Sequence, residues 1–461
     1  MTLTQNIQKK LNDSPAARWG AMLIVSFTMM CGYFITDIMA PLEDMLTKSV
    51  AEGGLGWTSG EYGFFSGAYG YINVFLLMLF FGGIILDKCG IRFTGIGSCA
   101  LMFAGTLLKW YAIDSNFGDA TLLGYPMQVI LAALGFAIFG MGAEITGITV
   151  TKIIAKWFTG HELALAMGLQ VAMARIGTAA ALACSLPMVK ATGTISSPLL
   201  LGAALLCIGL VAYLAYCVMD KKLDNSVVTT ADDEESFKMS DIKFIITNKG
   251  FWLITLLCLM FYAGVFPFLK FATKLMIYKY NVTPDLAGLI PAMIPFGTIL
   301  LTPVFGSMYD RIGKGATLMI IGSFLLTAVH VLFALPILNY GWFAIIVMIL
   351  LGIAFSLVPS ALWPSVPKII PMKQLGSAYA IIFYIQNIGL SMVPVLIGWV
   401  IEKYSTVESA AGTTYDYTLP MTIFAVFGLV AIFIAIILKR EDAAKHYGLE
   451  ESNIKKKKNS Q

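Results

Sequence analysis

The sequence predicts an all-α membrane protein in which twelve transmembrane helices form two pseudo-symmetric six-helix bundles. Three observations carry that expectation: apolar runs of spanning length, a one-sided distribution of Lys and Arg, and a loop pattern that occurs twice. Of the 461 residues, 58% are hydrophobic and only 13% charged, with a mean hydropathy of +0.80. A soluble domain needs more polar residues than this to cover its surface.

A helix needs about 20 apolar residues to cross about 30 Å of hydrocarbon. Backbone groups in lipid must be satisfied internally, so runs of that length are expected to be helices. Twelve runs qualify, at 19–41, 61–85, 94–113, 126–153, 162–188, 197–219, 250–278, 285–308, 316–338, 342–366, 376–402 and 418–438. We number them spans 1 to 12. The polar stretch 220–249, with its acidic run Asp232-Asp233-Glu234-Glu235, separates six from six. The expected division is therefore a bundle at 1–219, a linker at 220–249, a second bundle at 250–440 and a basic tail at 441–461. The run Lys455 to Lys458 reads as a solvated tail near anionic headgroups.

Orientation follows from the basic residues. Of the 31 Lys and Arg, 23 fall on the side of the two termini. Four (Lys48, Lys190, Lys279 and Lys403) fall on the other, and four (Lys109, Arg175, Lys270 and Lys274) lie within spans. Both termini are expected in the cytoplasm. The polar N-terminus and the lack of a clear cleavage site predict that span 1 inserts and stays. The N-tail has no acidic dileucine signal, so the expected address is a cell membrane, the bacterial inner membrane being the simplest. The seven cysteines lack paired spacing and read as reduced packing residues, and the three histidines lie far apart. No cofactor or metal signature is legible. A net charge of +4 is too weak to imply nucleic acid. The expected partners are the lipid bilayer and a small-molecule substrate, with a co-transported proton as one option, and the expected state is a monomer.

The repeated pattern follows the second span of each half. Gly83, Asp87, Lys88 and Gly90 pair with Gly306, Asp310, Arg311 and Gly313 at one constant offset of 223 residues, and Arg92 follows the first copy. A short reversing loop calls for glycine. The glycine four residues before the aspartate suits close helix approach. The aspartate can meet a helix N-terminus or a basic partner in one conformation and release it in another. These residues form a candidate conformational latch. The pattern resembles the signature loop of the major facilitator superfamily, G-x-x-x-D-[RK]-x-G-R-[RK]. Ile91 departs from it where a basic residue is usual, and the second copy has Lys314 followed by Gly315. The resemblance implies two bundles that rock about a central site and expose it to either side in turn.

Ionisable residues inside spans are costly and are functional candidates by default. Glu144 in span 4 and Arg175 in span 5 reach mid-membrane depth, and a contact between them is plausible. Such a pair either fixes helix packing alone or serves a substrate. In the second case Arg175 receives a carboxylate bidentately, and Glu144 balances charge, binds an ammonium or exchanges a proton. Lys270 and Lys274 share a face of span 7 beyond Phe266-Pro267-Phe268, where the proline is expected to loosen the helix. Snorkelling outward is the alternative use of these lysines. Tyr33, Tyr69, Asn73, Tyr384 and Asn387 offer polar tips, and Trp363 beside Pro364 can wall or gate a cavity. Asp37 and Lys109 are expected in rim salt bridges.

The patches Gly168 to Gly177, the span 4 glutamate, and Phe266-Pro267-Phe268-Leu269-Lys270 resemble the lysosomal dipeptide-transporter branch of that superfamily and its bacterial relatives. That resemblance implies a peptide-sized zwitterion, with Arg175 and Lys270 near its carboxylate and Glu144 near its amine. The same buried charges suit an organic anion or sugar acid. A channel or receptor has no need of the duplicated latch. A membrane-embedded enzyme lacks support, since no nucleophile, metal or phosphate-loop signature is present.

Overall fold

The structure is a computed structural model that describes residues 11–158, 163–226, 239–371, 374–409 and 412–452. The acidic run 232–235 and the lysine run 455–458 lie outside the described residues. Eleven helices are long and apolar enough to span, and a bent pair completes the twelfth. Spans 1 and 3 to 6 are Pro15–Asp37, Lys88–Asp114, Met127–Phe158, Leu163–Thr192 and Ser197–Ser226. Spans 7 to 12 are Lys249–Tyr280, Leu289–Ile312, Gly315–Ala334, Gly341–Ile369, Leu375–Val400 and Thr418–Lys445.

Span 2 departs from a simple rod. It comprises Ser59–Phe75 and Met78–Leu86, bent by 59° at the break. Leu77 at the break adopts a left-handed backbone (φ 53°), which is unusual for a residue with a side chain. Span 7 runs through Pro267 without interruption, contrary to the expected loosening. Two short antiparallel hairpins, Thr121–Leu122 with Tyr125–Pro126 and Thr406–Ser409 with Gly412–Tyr415, sit between spans. A further helix, Met239–Thr247, lies in the connection between the halves.

The halves meet most closely at the face carrying the connections between spans 1–2, 7–8 and 11–12, which the charge bias predicts to be outer. There spans 2 and 11 cross at a pair of glycines. A Cβ built on Gly63 would stand 2.9 Å from Gly398 Cα, and one on Gly67 would stand 2.2 Å from the Ser391 carbonyl oxygen. Only glycine lets the backbones come so near. Among the described residues, the ion pairs that join the halves all lie toward this face: Asp37–Lys270, Glu43–Lys274 and Lys190–Asp285. The Gly60 N–H adds a hydrogen bond to Glu402 Oε2 at 2.8 Å.

Candidate functional site

At mid-membrane the two halves enclose a set of charges and rings. Arg175 projects from span 5 among three aromatic faces. Its guanidinium carbon lies 6.0 Å from the Tyr33 ring centre, 5.3 Å from Phe266 and 5.0 Å from Phe355. Ring quadrupoles attract a cation at this range. No acid lies within 4 Å of it among the described residues. Glu144 does not pair with it, contrary to the expected contact. Its Oε1 instead accepts the Tyr69 hydroxyl at 2.9 Å, and Asn387 of span 11, whose amide donates to the Phe383 carbonyl at 3.0 Å, lies near the same carboxylate. Each charge thus keeps neutral company. Tyr33 is common to both, because it also lines a cavity of about 50 Å³ beside Glu144.

Both span 7 lysines are committed elsewhere. Lys270 Nζ lies 2.7 Å from Asp37 Oδ1 and donates to the Thr36 carbonyl, also at 2.7 Å. Lys274 does not snorkel. It is fully buried, 2.8 Å from Thr47 Oγ1 and 3.8 Å from Glu43, with the Tyr415 ring 3.8 Å from its ammonium. The lysines therefore join the halves at the face predicted to be outer instead of pairing with groups beside Arg175. Tyr278 adds a hydroxyl to Asp44 at 2.6 Å in the same layer. Lys109 makes no rim pair either. Buried in the first half, its ammonium meets the Ile35 carbonyl at 3.3 Å and the Phe136 face at 4.2 Å.

The remaining candidates divide. Asn73 donates to the Gly140 carbonyl at 3.2 Å and ties span 2 to span 4. Tyr384 reaches across the halves to the Val74 carbonyl at 3.3 Å, beside the span 2 break. Trp363 donates its indole N–H to the Tyr262 hydroxyl at 2.9 Å, and Tyr262 stacks on Phe266. Trp363 thus continues the aromatic wall that ends at Arg175.

In the candidate latch, Gly90 and Gly313 have φ of 77° and 74°, conformations that glycine adopts without a Cβ penalty. Gly83 and Gly306 show no close approach, since a Cβ on either would meet nothing within 4 Å. Arg92 turns inward to its own half, 3.0 Å from Asp224 and 3.7 Å from Asp220 at the end of span 6. Lys156 joins the same two aspartates at 2.6 and 2.7 Å. The Lys88 and Arg311 side chains are exposed. The side chain of Asp87 lies outside what is described. The second copy is strapped by the segment after span 12. The Lys314 and Gly315 N–H groups donate to the Glu450 and Leu449 carbonyls, and the Thr317 N–H donates to Glu450 Oε1 at 2.9 Å.

Sequence reasoning overlooked Phe355, Tyr262, Glu43 and Asp44. A phenylalanine in an apolar run carries no signal of its own. The two acids did carry one, as neighbouring charges just beyond span 1 that needed partners.

Comparison with known proteins accords with this architecture. The chain matches the family model of the Major Facilitator Superfamily over residues 22–394, and again over 271–458. It is 27% identical over 400 residues to the lysosomal dipeptide transporter MFSD1 of Bos taurus, covering 84% of this chain and 80% of that protein. It is 26% identical over 400 residues to MFSD1 of Homo sapiens, covering 84% and 81%. Among solved structures it resembles the peptide transporter POT in complex with sulfate, with a TM-score of 0.68, 13% identity, and 96% and 97% of the two chains covered. This level of identity speaks to fold alone. From its two bundles, its repeated loop and the family match across most of its length, this chain belongs to the Major Facilitator Superfamily and is a multi-pass secondary transporter.

Proposed function

We propose that the protein carries dipeptides or similar zwitterions across the membrane by alternating access. The observation that carries this reading is the arrangement at mid-membrane: a guanidinium caged by rings without an acid at hand, and a carboxylate held only by neutral groups. Arg175 receives the peptide carboxylate through its planar fork. Glu144 receives the ammonium, and Tyr33 lines the path between them. The dipeptide-transporter relatives support the same substrate class. Phe266, Phe355, Tyr262 and Trp363 wall the second half of the site, and Asn387 closes on Glu144 from span 11.

Closure at the outer end, with the Lys88 and Arg311 side chains exposed at the repeated loops, suits a state open toward the cytoplasm, with Gly83, Asp87, Lys88, Gly90, Arg92, Gly306, Asp310, Arg311 and Gly313 engaging when that side closes. Both termini lie in the cytoplasm in this reading, and the address is a cell membrane, taken as the bacterial inner membrane. Glu144 is the candidate for proton coupling, and uniport is the alternative mode.

A thermal-shift screen of purified protein against dipeptides, amino acids, organic acids and sugar acids tests the assignment, because a ligand that binds only the native state raises apparent stability by mass action. Stabilisation by dipeptides that disappears in Arg175→Ala is the expected result. Stabilisation by carboxylic acids alone would replace the zwitterion with an organic anion. For coupling, Glu144→Gln that still accumulates substrate against a gradient would rule out an obligatory proton role.

A further inference from the structure

The cavity beside Glu144 is built entirely from the first half. Met29 and Gly32 of span 1, Met102 of span 3, and Gly147 of span 4 form its apolar walls. Its volume of about 50 Å³ exceeds what a single water needs, about 10–15 Å³ in the same measure. Two wall positions carry no side chain. A Cβ on Gly147 would meet only the Met29 terminal methyl at 3.8 Å, so the space there is open. The polar groups at its edge are largely spent: the Tyr69 hydroxyl donates to Glu144, and the Thr36 hydroxyl donates to the Gly32 carbonyl at 3.0 Å. What remains is a small recess of mixed lining, polar at the Glu144 edge and bounded on its apolar side by two thioethers, which deform more readily than branched side chains.

We infer that this recess receives the side chain of a peptide's first residue, and that Gly147, Met29 and Met102 set the size and apolar character accepted there. The inference rests on the zwitterion reading above. An α-ammonium held at Glu144 places its own Cα beside the cavity, so the first side chain branches into it. The second residue stands about 3.5 Å further along the backbone, toward Arg175 and the Tyr33, Phe266 and Phe355 rings. The preferred substrates are dipeptides whose first side chain is apolar and small to medium in size. A bulkier one must displace Met29 or Met102.

The test compares Leu-Ala with Ala-Leu binding to the purified full-length protein, in the wild type and in Gly147→Val. The added side chain should weaken Leu-Ala at least about tenfold more than Ala-Leu, the discrimination that one or two methylenes give in an apolar pocket. Equal weakening of both peptides, or greater loss for Ala-Leu, overturns the assignment. Met102→Ala supplies the converse and covers a Gly147→Val protein that fails to fold. It should improve Trp-Ala relative to Ala-Trp, and an unchanged ratio overturns the pocket. Arg175→Ala separates the two levels of argument. If it abolishes binding of both dipeptides while Gly147→Val leaves their ratio unmoved, the pocket is wrong and the site stands. If it binds them normally, the site reading falls and the pocket with it.

Discussion

Removing Lys270 should open the outer face. Its ammonium is the only cation within 4 Å of Asp37 among the described residues, and Asp37 is 2% exposed. Lys270→Met keeps the volume and strands a buried carboxylate. Breaking a buried pair in this way costs about 3–5 kcal/mol. The cost falls on the outer-closed state, because separating the halves hydrates Asp37. At about 1.4 kcal/mol per tenfold, the balance shifts toward the outward-open state by about two to three and a half orders of magnitude. That approaches the roughly 5.5 kcal/mol needed to invert a 99:1 population. Adding Asp37→Asn should restore much of the closure, since no buried charge is then left without a partner. Pulsed electron resonance between nitroxides at Val50 and Glu408, both exposed on outer loops, reads the opening once the seven native cysteines are replaced by serine. An unchanged distance in Lys270→Met would refute the reasoning. So would a double variant as open as the single one, because the effect would then be local repacking and not a stranded charge.

Gly67→Leu places a side chain where a Cβ alone would stand 2.2 Å from the Ser391 carbonyl oxygen. The same nitroxide pair should move apart and counterflow should stop, while a wild-type distance would show that spans 2 and 11 can part without loss of closure. Glu450→Ala removes the acceptor of the Thr317 N–H at the start of span 9, and should lower stability by about 0.5–2 kcal/mol in thermal unfolding, as loss of a helix cap does. Asp416 is held below the usual carboxylate range by the side-chain and backbone hydrogen bonds of Thr418. Its contribution is complete above that range and is lost as pH falls through the lowered value, so Asp416→Asn should flatten the acid limb of a melting-temperature profile. A limb identical to the wild type would assign that acid sensitivity elsewhere.

The architecture was legible because its signals are local. Spanning length, basic side-bias and the repeated loop can each be read within a short window. Glu144 and Arg175 stood out because a charge in an apolar run is conspicuous, but the partner each selects depends on helix rotation. Arg175 turns to rings supplied by spans 1, 7 and 10, and Glu144 turns to Tyr69. Lys270 illustrates the same limit. Its type suggested a carboxylate ligand, and the register between spans 1 and 7 directs it to Asp37. The break in span 2 gave no warning either, since Leu76 and Leu77 are ordinary helix formers and the left-handed turn between the two segments is imposed by packing.

The two copies of the repeated loop are braced by unlike devices, aspartates of span 6 for the first and the segment following span 12 for the second. Each brace belongs to its own half. The helix 239–247 packs chiefly against spans 7 and 11, both of the second half. The covalent join between the halves is therefore dispensable to either loop. Two separately translated polypeptides, divided within 227–238 and produced in the same cell, should each keep the brace described for their own loop, and the outer ion pairs and glycine crossing supply the surface on which they reunite.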